Sequence, residues 1–266
     1  YIKVVVEDGR RWKMELPIKK EKANRVNPKK IIIYGNPKTG KSTALSQLDN
    51  CLIIDVEDGT NFLEALKINV LELARKTEKS PLVVLKDVIN SIKAHNKESG
   101  SYLYKFIAID TVSALEEIVL PLANNMYKKT VQGKNWDGDD VTLLANGAGY
   151  RWTRLALAMV INELEEICDT LIILGHIKDK MVTRGGEEMN EQGLDLTGKM
   201  AGILASKVDA VGYIYRKDNQ TIVDFTATET MVCGGRCDHL INKKVVLIES
   251  DEDNNIKVDW SEIFID

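Results

Sequence analysis

The chain has 266 residues, 44% of them hydrophobic and 29% charged, with a formal net charge of −4. That length bounds one large α/β domain or one domain with appendages, and the balance is that of a globular protein. No apolar run approaches the ~20 residues needed to cross a bilayer, and the acidic balance argues against a body coated with positive potential without excluding nucleic acid, since binding can be confined to basic loops.

Residues 1–29 read as a unit apart from the rest. Lys3 to Arg10 holds a β-branched strand and an Asp8-Gly9 turn, and Arg11 to Leu16 is its return, so a β-hairpin is expected. Pro17 to Lys30 is polar and lysine-rich and reads as a linker. No secretory leader is expected here, and the opening at Tyr1 rather than Met fits a trimmed start. Residues 30–266 form the expected core.

Ile31-Ile32-Ile33-Tyr34 is a buried strand that enters Gly35-Asn36-Pro37-Lys38-Thr39-Gly40-Lys41-Ser42-Thr43, which matches the phosphate-binding G-x-x-x-x-G-K-S loop. Glycines permit the tight turn that aims several N–H groups at one phosphate. The helix that follows, expected over Ser42–Leu48, adds its positive end. Lys41 would neutralise the outer phosphates of ATP, and Ser42 would offer its hydroxyl to Mg²⁺.

Further strands are expected at Cys51–Val56, Phe106–Asp110 and Thr170–Gly175, and helices at Leu82–His95 and Tyr150–Ile167. This alternation implies an α/β fold, a mainly parallel central sheet flanked by helices, with functional groups at the carboxyl ends of its strands. Asp110 ends the third strand and would hold Mg²⁺ opposite Ser42; the competing reading is an Asp that caps the next helix. Thr111 follows it where many such ATPases carry a catalytic Glu. The acid must come from elsewhere, and Asp55-Val56-Glu57-Asp58 at the end of the second strand supplies one. Glu57, further past the strand, is assigned as the general base, against a solvated acidic loop. His176 ends the fourth strand as a γ-phosphate sensor or as a structural histidine.

Lys178 to Leu196 is polar and without strong periodicity. Strands resume at Ala210–Tyr215, Thr221–Ala227 and Lys244–Glu249, with connections too short for helical crossovers, so antiparallel pairing is expected there. Cys51, Cys168, Cys233 and Cys237 are too irregular for a disulfide framework and fit a reducing cytosol. Cys233, Cys237 and His239 raise zinc as an alternative to small side chains in a turn.

Together the segments Gly35–Thr43, Ile53–Glu57, Ile107–Ser113 and Leu171–Ile177 resemble the RecA superfamily of P-loop ATPases. Gly147-Ala148-Gly149-Tyr150, Gly175-His176-Ile177-Lys178, Asp209-Ala210-Val211-Gly212 and Gly234-Gly235-Arg236 are similar to the short RecA-like recombination ATPases of phages, called Sak-type. The resemblance implies a RecA-like core with an acid at the second strand activating water. It also implies a sensor after the fourth strand, although RecA itself has Gln where His176 stands. ATP would lie between subunits of a ring or filament, with a neighbour's arginine at the phosphates, Arg236 first and Arg216 second. Mobile loops would contact single-stranded DNA. Two loops fall there. Asn124 to Asn146 carries Lys128, Lys129, Lys134 and Trp136 against Asp137, Asp139 and Asp140. Lys178 to Lys199 carries Lys178, Lys180, Arg184 and Lys199 against Glu187, Glu188 and Glu191. By charge alone both are solvated loops, and the resemblance is what points to DNA.

The expected function is therefore a Mg²⁺-dependent, DNA-stimulated ATPase for recombination by strand annealing or exchange, cytoplasmic and of phage or prophage origin. The alternatives are a hexameric DnaB- or RadA-like motor and a non-hydrolysing, ATP-gated scaffold. A GTPase is disfavoured because Asn242-Lys243-Lys244 leads to Val245 and not Asp. A small-molecule kinase is disfavoured because the 178–199 loop holds Arg184 as its one arginine.

Overall fold

The computed structural model describes residues 4–7, 11–14, 18–253 and 255–265. Strands β1 (Val4–Glu7) and β2 (Arg11–Met14) pair antiparallel, with Val4 opposite Met14. The hairpin pairing is as expected; the Asp8-Gly9 turn and Leu16 lie outside the described residues.

The core opens with β3 (Lys30–Gly35), α1 (Lys41–Ser46) and β4 (Cys51–Asp55). Then come β5 (Lys67–Asn69), α2 (Val70–Thr77), α3 (Pro81–Ser99) and β6 (Phe106–Asp110). Helices α4 (Val112–Ile118), α5 (Leu120–Lys128) and α6 (Gly149–Glu165) follow. The chain continues as β7 (Thr170–Arg184), β8 (Glu187–Leu194) and α7 (Met200–Lys207). It closes with β9 (Ala210–Lys217), β10 (Gln220–Asp224), β11 (Gly234–Gly235), β12 (Lys244–Ser250) and β13 (Ile256–Val258).

Helix α3 shows how locally these bounds are set. Ser80 caps its first turn by accepting from Val83 N–H, Pro81 takes the first helical position, and Gly100 at φ 71° ends it.

The main sheet runs β13-β12-β10-β9-β3-β7-β6-β4-β5. From β9 to β5 all pairs are parallel, whereas β10, β12 and β13 add antiparallel strands on one side. This is an α/β fold with a mainly parallel central sheet and antiparallel strands from the C-terminal part of the chain. Its parallel strands are apolar along their whole length because both faces are covered. Ile32, Tyr34, Ile107, Ile109, Leu171 and Ile173 face the layer of α2 to α7. Their neighbours Ile31, Ile33, Ala108, Ile172 and Leu174 face α1 and the C-terminal segment through Trp260. The chain leaves β3 and re-enters the sheet three places away at β4, which makes the carboxyl end of β3 a switch point where a crevice opens.

One expected loop is ordered. Residues 178–196 continue β7 outward and return as β8, an antiparallel ribbon from Ile177 opposite Leu194 to Arg184 opposite Glu187. The ribbon is mostly polar, with Val182 opposite Met189 as its apolar cross-strand pair, so no sustained alternation marks it. Gly185 and Gly186 both take positive φ, 61° and 91°, and form its two-residue turn. Likewise the stretch from Asn124 is not all loop, since α5 runs to Lys128.

Among the described residues no helix is long and apolar enough to cross a membrane. All four cysteines are free, with Cys51 and Cys168 buried.

Where α6 begins, the backbone is pressed against residues 141–143: a Cβ on Gly149 would lie 1.6 Å from the Val141 carbonyl oxygen. We expect Gly149→Ala to destabilise the chain by about 1–3 kcal/mol. Gly202→Ala, where nothing lies within 4 Å of the new Cβ, should be neutral or stabilising. Urea melts of the two variants test this pair.

Candidate active site

The parallel register brings distant residues to one edge. Gly35 lies beside His176, and Asp55 beside Asp110. The four strand ends so aligned carry the phosphate loop, the acidic loop, the cis Asp110–Thr111 peptide and the root of the ribbon.

The loop from Gly35 to Ser42 needs its glycines. A Cβ on Gly35 would meet the Ile214 carbonyl oxygen at 2.2 Å, and Gly40 sits at φ 96° to turn into α1. Lys41 folds back beneath the loop, 7% exposed. Its ammonium donates to Asn36 O at 2.8 Å, Gly35 O at 3.2 Å and Thr39 Oγ1 at 3.4 Å. Burial lowers its proton affinity, an effect opposed by the charges of Asp110 and Glu57. A desolvated ammonium held by neutral oxygens alone is a site prepared for an anion.

Ser42 donates to Asp110 Oδ2 at 2.5 Å. Asp110 is 6% exposed, and burial pushes its carboxyl pKa up, partly offset by the Ser42 hydrogen bond. A hydroxyl and a half-compensated carboxylate in contact are the hard oxygen donors that Mg²⁺ takes. The residues present therefore fit both a triphosphate and its cation.

Glu57 stands across the pocket. Its Oε1 accepts from the Thr111 hydroxyl, and its Oε2 lies 3.2 Å from His176 Nε2. The other histidine nitrogen, Nδ1, is buried without a partner among the described residues. Asp55 is fully buried and takes no part at the pocket. Its carboxylate accepts from the N–H groups of Glu57, Gly59 and Thr60 and from the Thr60 hydroxyl at 2.6 Å. It thereby folds the acidic loop so that Glu57 projects. Asp55, Thr60 and Thr111 were not assigned these positions from the sequence; an Asp two residues before a free N–H is the local signal for the first.

The pocket between these groups has a volume of about 500 Å³ and is also lined by Phe62 and Arg216. Arg216 thus belongs to the phosphate-loop pocket of its own chain, because β9 lies directly beside β3. Arg236 does not. Its guanidinium donates to Ser206 O at 2.6 Å and lies 3.8 Å from Asp209, whose carboxylate caps Lys29 and Lys30 N–H at the opposite ends of the strands.

The two basic segments are partly committed. Trp136 packs edge-on against Tyr127, at 5.2 Å between centroids, with the Lys128 ammonium 5.4 Å from its ring. On the ribbon Lys178 pairs with Asp195 at 2.9 Å. The side chain of Arg184 lies outside the described residues. The zinc reading is not assembled. Cys233 Sγ lies 3.7 Å from the Tyr34 hydroxyl, His239 Nε2 lies 3.0 Å from Ile263 O, and among the described residues no three His, Cys, Asp or Glu are grouped to hold a metal.

A family model described as an AAA domain, AAA_24, matches residues 27–237. No curated protein matches the chain. Among solved structures, the RadB recombinase is 11% identical, with 88% of this chain and 92% of that one covered, at a TM-score of 0.39. A KaiC-like protein from the hyperthermophilic archaeon Pyrococcus horikoshii OT3 is 14% identical, with 86% and 89% covered, at a TM-score of 0.39.

Proposed function

We propose that this chain, which belongs to the AAA domain family AAA_24, is a RecA-like, Mg²⁺-dependent, single-stranded-DNA-stimulated ATPase of recombination. The observation that carries the enzymatic part is the meeting of Lys41, the Ser42–Asp110 pair and Glu57 around one pocket.

In this reading Lys41 and the amides of residues 35–43 hold the phosphates, and Ser42 and Asp110 hold the cation. Bound Mg²⁺ supplies positive charge that offsets the negative charge shifting toward the leaving diphosphate. Glu57 accepts a proton from the water that attacks the terminal phosphorus. Thr111 and His176 fix the two carboxylate oxygens so that the acceptor lone pair faces that water. His176 is also the γ-phosphate sensor. Arg216 acts on the phosphates in its own subunit, and Arg236 from a neighbour in a ring or filament. Residues 1–29 are a separate hairpin and linker from the 30–266 core.

What supports DNA is the ribbon that rises from His176, with Lys180 and Lys199 beside it, together with the resemblance to Sak-type phage proteins. A phage or prophage source and the host cytoplasm belong to the same reading. The test is ATP hydrolysis with and without single-stranded DNA at low salt. We expect a rate increase and DNA binding that weakens with salt. A falling rate on addition of DNA, or no binding at low salt, overturns the recombination reading and leaves the ATPase.

A further inference from the structure

A second cavity, of about 230 Å³, lies between the root of the ribbon, α7 and strands β3 and β9. Its wall is mostly apolar, made by Leu194, Leu196, Val211 and Val232 with Ala201 and Ala205 of α7. Ala201 and Ala205 stand one helical turn apart, so a single face of α7 borders the space with methyl groups. A Cβ on Gly198 or Gly202, which also line it, would meet nothing within 4 Å, and one on Gly193 would meet only Val232, at 3.7 Å. Small residues therefore leave the space open. Protein interiors hold few voids larger than a water molecule. An apolar cavity of ~150 Å³ is already enough to admit benzene.

The charged side chains that line this cavity are three lysines, Lys178, Lys180 and Lys199, and one carboxylate, Glu191. The lysines are all exposed. The ribbon's register explains the grouping. Lys178 pairs with Gly193 and Lys180 with Glu191, so these four share one face of the ribbon. Lys178 is taken up by Asp195 at 2.9 Å. Among the described residues no carboxylate forms an ion pair with Lys180 or Lys199. The base of the cavity asks for no polar partner, since the Tyr34 hydroxyl there donates to Val232 O at 3.1 Å.

The chemistry of the occupant follows. A cation is disfavoured by the lysines, and inorganic phosphate makes no use of an apolar wall. A nucleobase would set its polar edges against aliphatic side chains, which leaves them without partners. An apolar body with one anionic head uses both parts, because a lysine lays its stem along apolar surface and keeps its ammonium at the water boundary. We propose that this cavity binds a small aryl or alkyl carboxylate, with its apolar body between α7 and the ribbon root and its carboxylate at Lys180 and Lys199. The proposal stands whether or not the chain turns over ATP or binds DNA.

The test is calorimetric titration of the full chain with phenylbutyrate at low ionic strength, in the absence of nucleotide and DNA. Saturable one-to-one binding is expected, about tenfold weaker for the neutral phenylbutanamide and absent for phenylbutylamine. The double substitution Lys180→Gln and Lys199→Gln should weaken phenylbutyrate about tenfold, and it changes only exposed side chains. Ala205→Leu, which fills the space from α7, should abolish binding, with thermal melting to check that the fold is kept. Should that variant not fold, the lysine substitutions and the amide decide alone. No saturable binding of phenylbutyrate, equal affinity for acid and amide, or binding that survives the lysine substitutions undiminished overturns the proposal. Each of those results leaves the ATPase reading where it stands, because nothing in the titration depends on turnover.

Discussion

Glu57→Gln is expected to lower the rate of ATP turnover by about 10²–10⁴-fold while ATP affinity stays within about threefold. The substitution keeps the oxygen that accepts from Thr111 and keeps the size of the side chain, so the acidic loop held by Asp55 should not move. What is lost is the capacity to take a proton. Steady-state ADP release and equilibrium nucleotide binding, measured on the same preparation, read the two quantities separately. Turnover that survives the change would remove Glu57 as the base, whereas a parent chain that binds ATP and releases no ADP would fit the non-hydrolysing scaffold.

The second large effect is expected at Lys41. Replacing it with Met keeps the length of the stem and removes the charge. ATP affinity should fall at least about thirtyfold, since deleting one partner of a desolvated charge pair costs about 2–5 kcal/mol. Stability of the nucleotide-free chain should move the other way. The folded protein lowers the proton affinity of Lys41, so the unfolded chain holds that proton more tightly. The penalty is fully present below the folded pKa and fades as pH rises toward the ordinary lysine value of 10.5. Lys41→Met removes it at every pH. Thermal melts without nucleotide at neutral pH should therefore show the variant at least as stable as the parent, and melts with ATP and magnesium should show only the parent stabilised. A variant that melts lower without nucleotide would mean that the ammonium is a structural strut.

Much of this site is legible in the sequence because its geometry is made by backbone. The turn from Gly35 to Ser42 is specified by glycines that no other residue replaces, and Asp110 and His176 are found by asking which polar residue ends an apolar strand. Thr111 is harder. Its role depends on Glu57, 54 positions away, and only the pairing of β4 with β6 brings them together. The place of Arg216 hangs in the same way on β9 docking beside β3, a long-range choice that local pattern does not encode. The ribbon escapes detection for a different reason. Beyond its root at Ile177 and Leu194 neither face is buried in a core, so there is no sustained apolar alternation to read, and Gly185-Gly186 is its one local mark. Helices α4 and α5 abut at Val119, and their short apolar stripes do not sustain a helical period long enough to separate from loop.

Strand β7 has one more property. It runs unbroken from Thr170 in the centre of the sheet, through His176, to Arg184 at the tip of the ribbon. Eight residues of extended chain beyond His176 make an arm about 26 Å long. Tilting such an arm by about 10° at its root carries the far end about 4–5 Å. A displacement too small to disturb the packing around the histidine would arrive at the outer turn as a stroke wider than a water molecule.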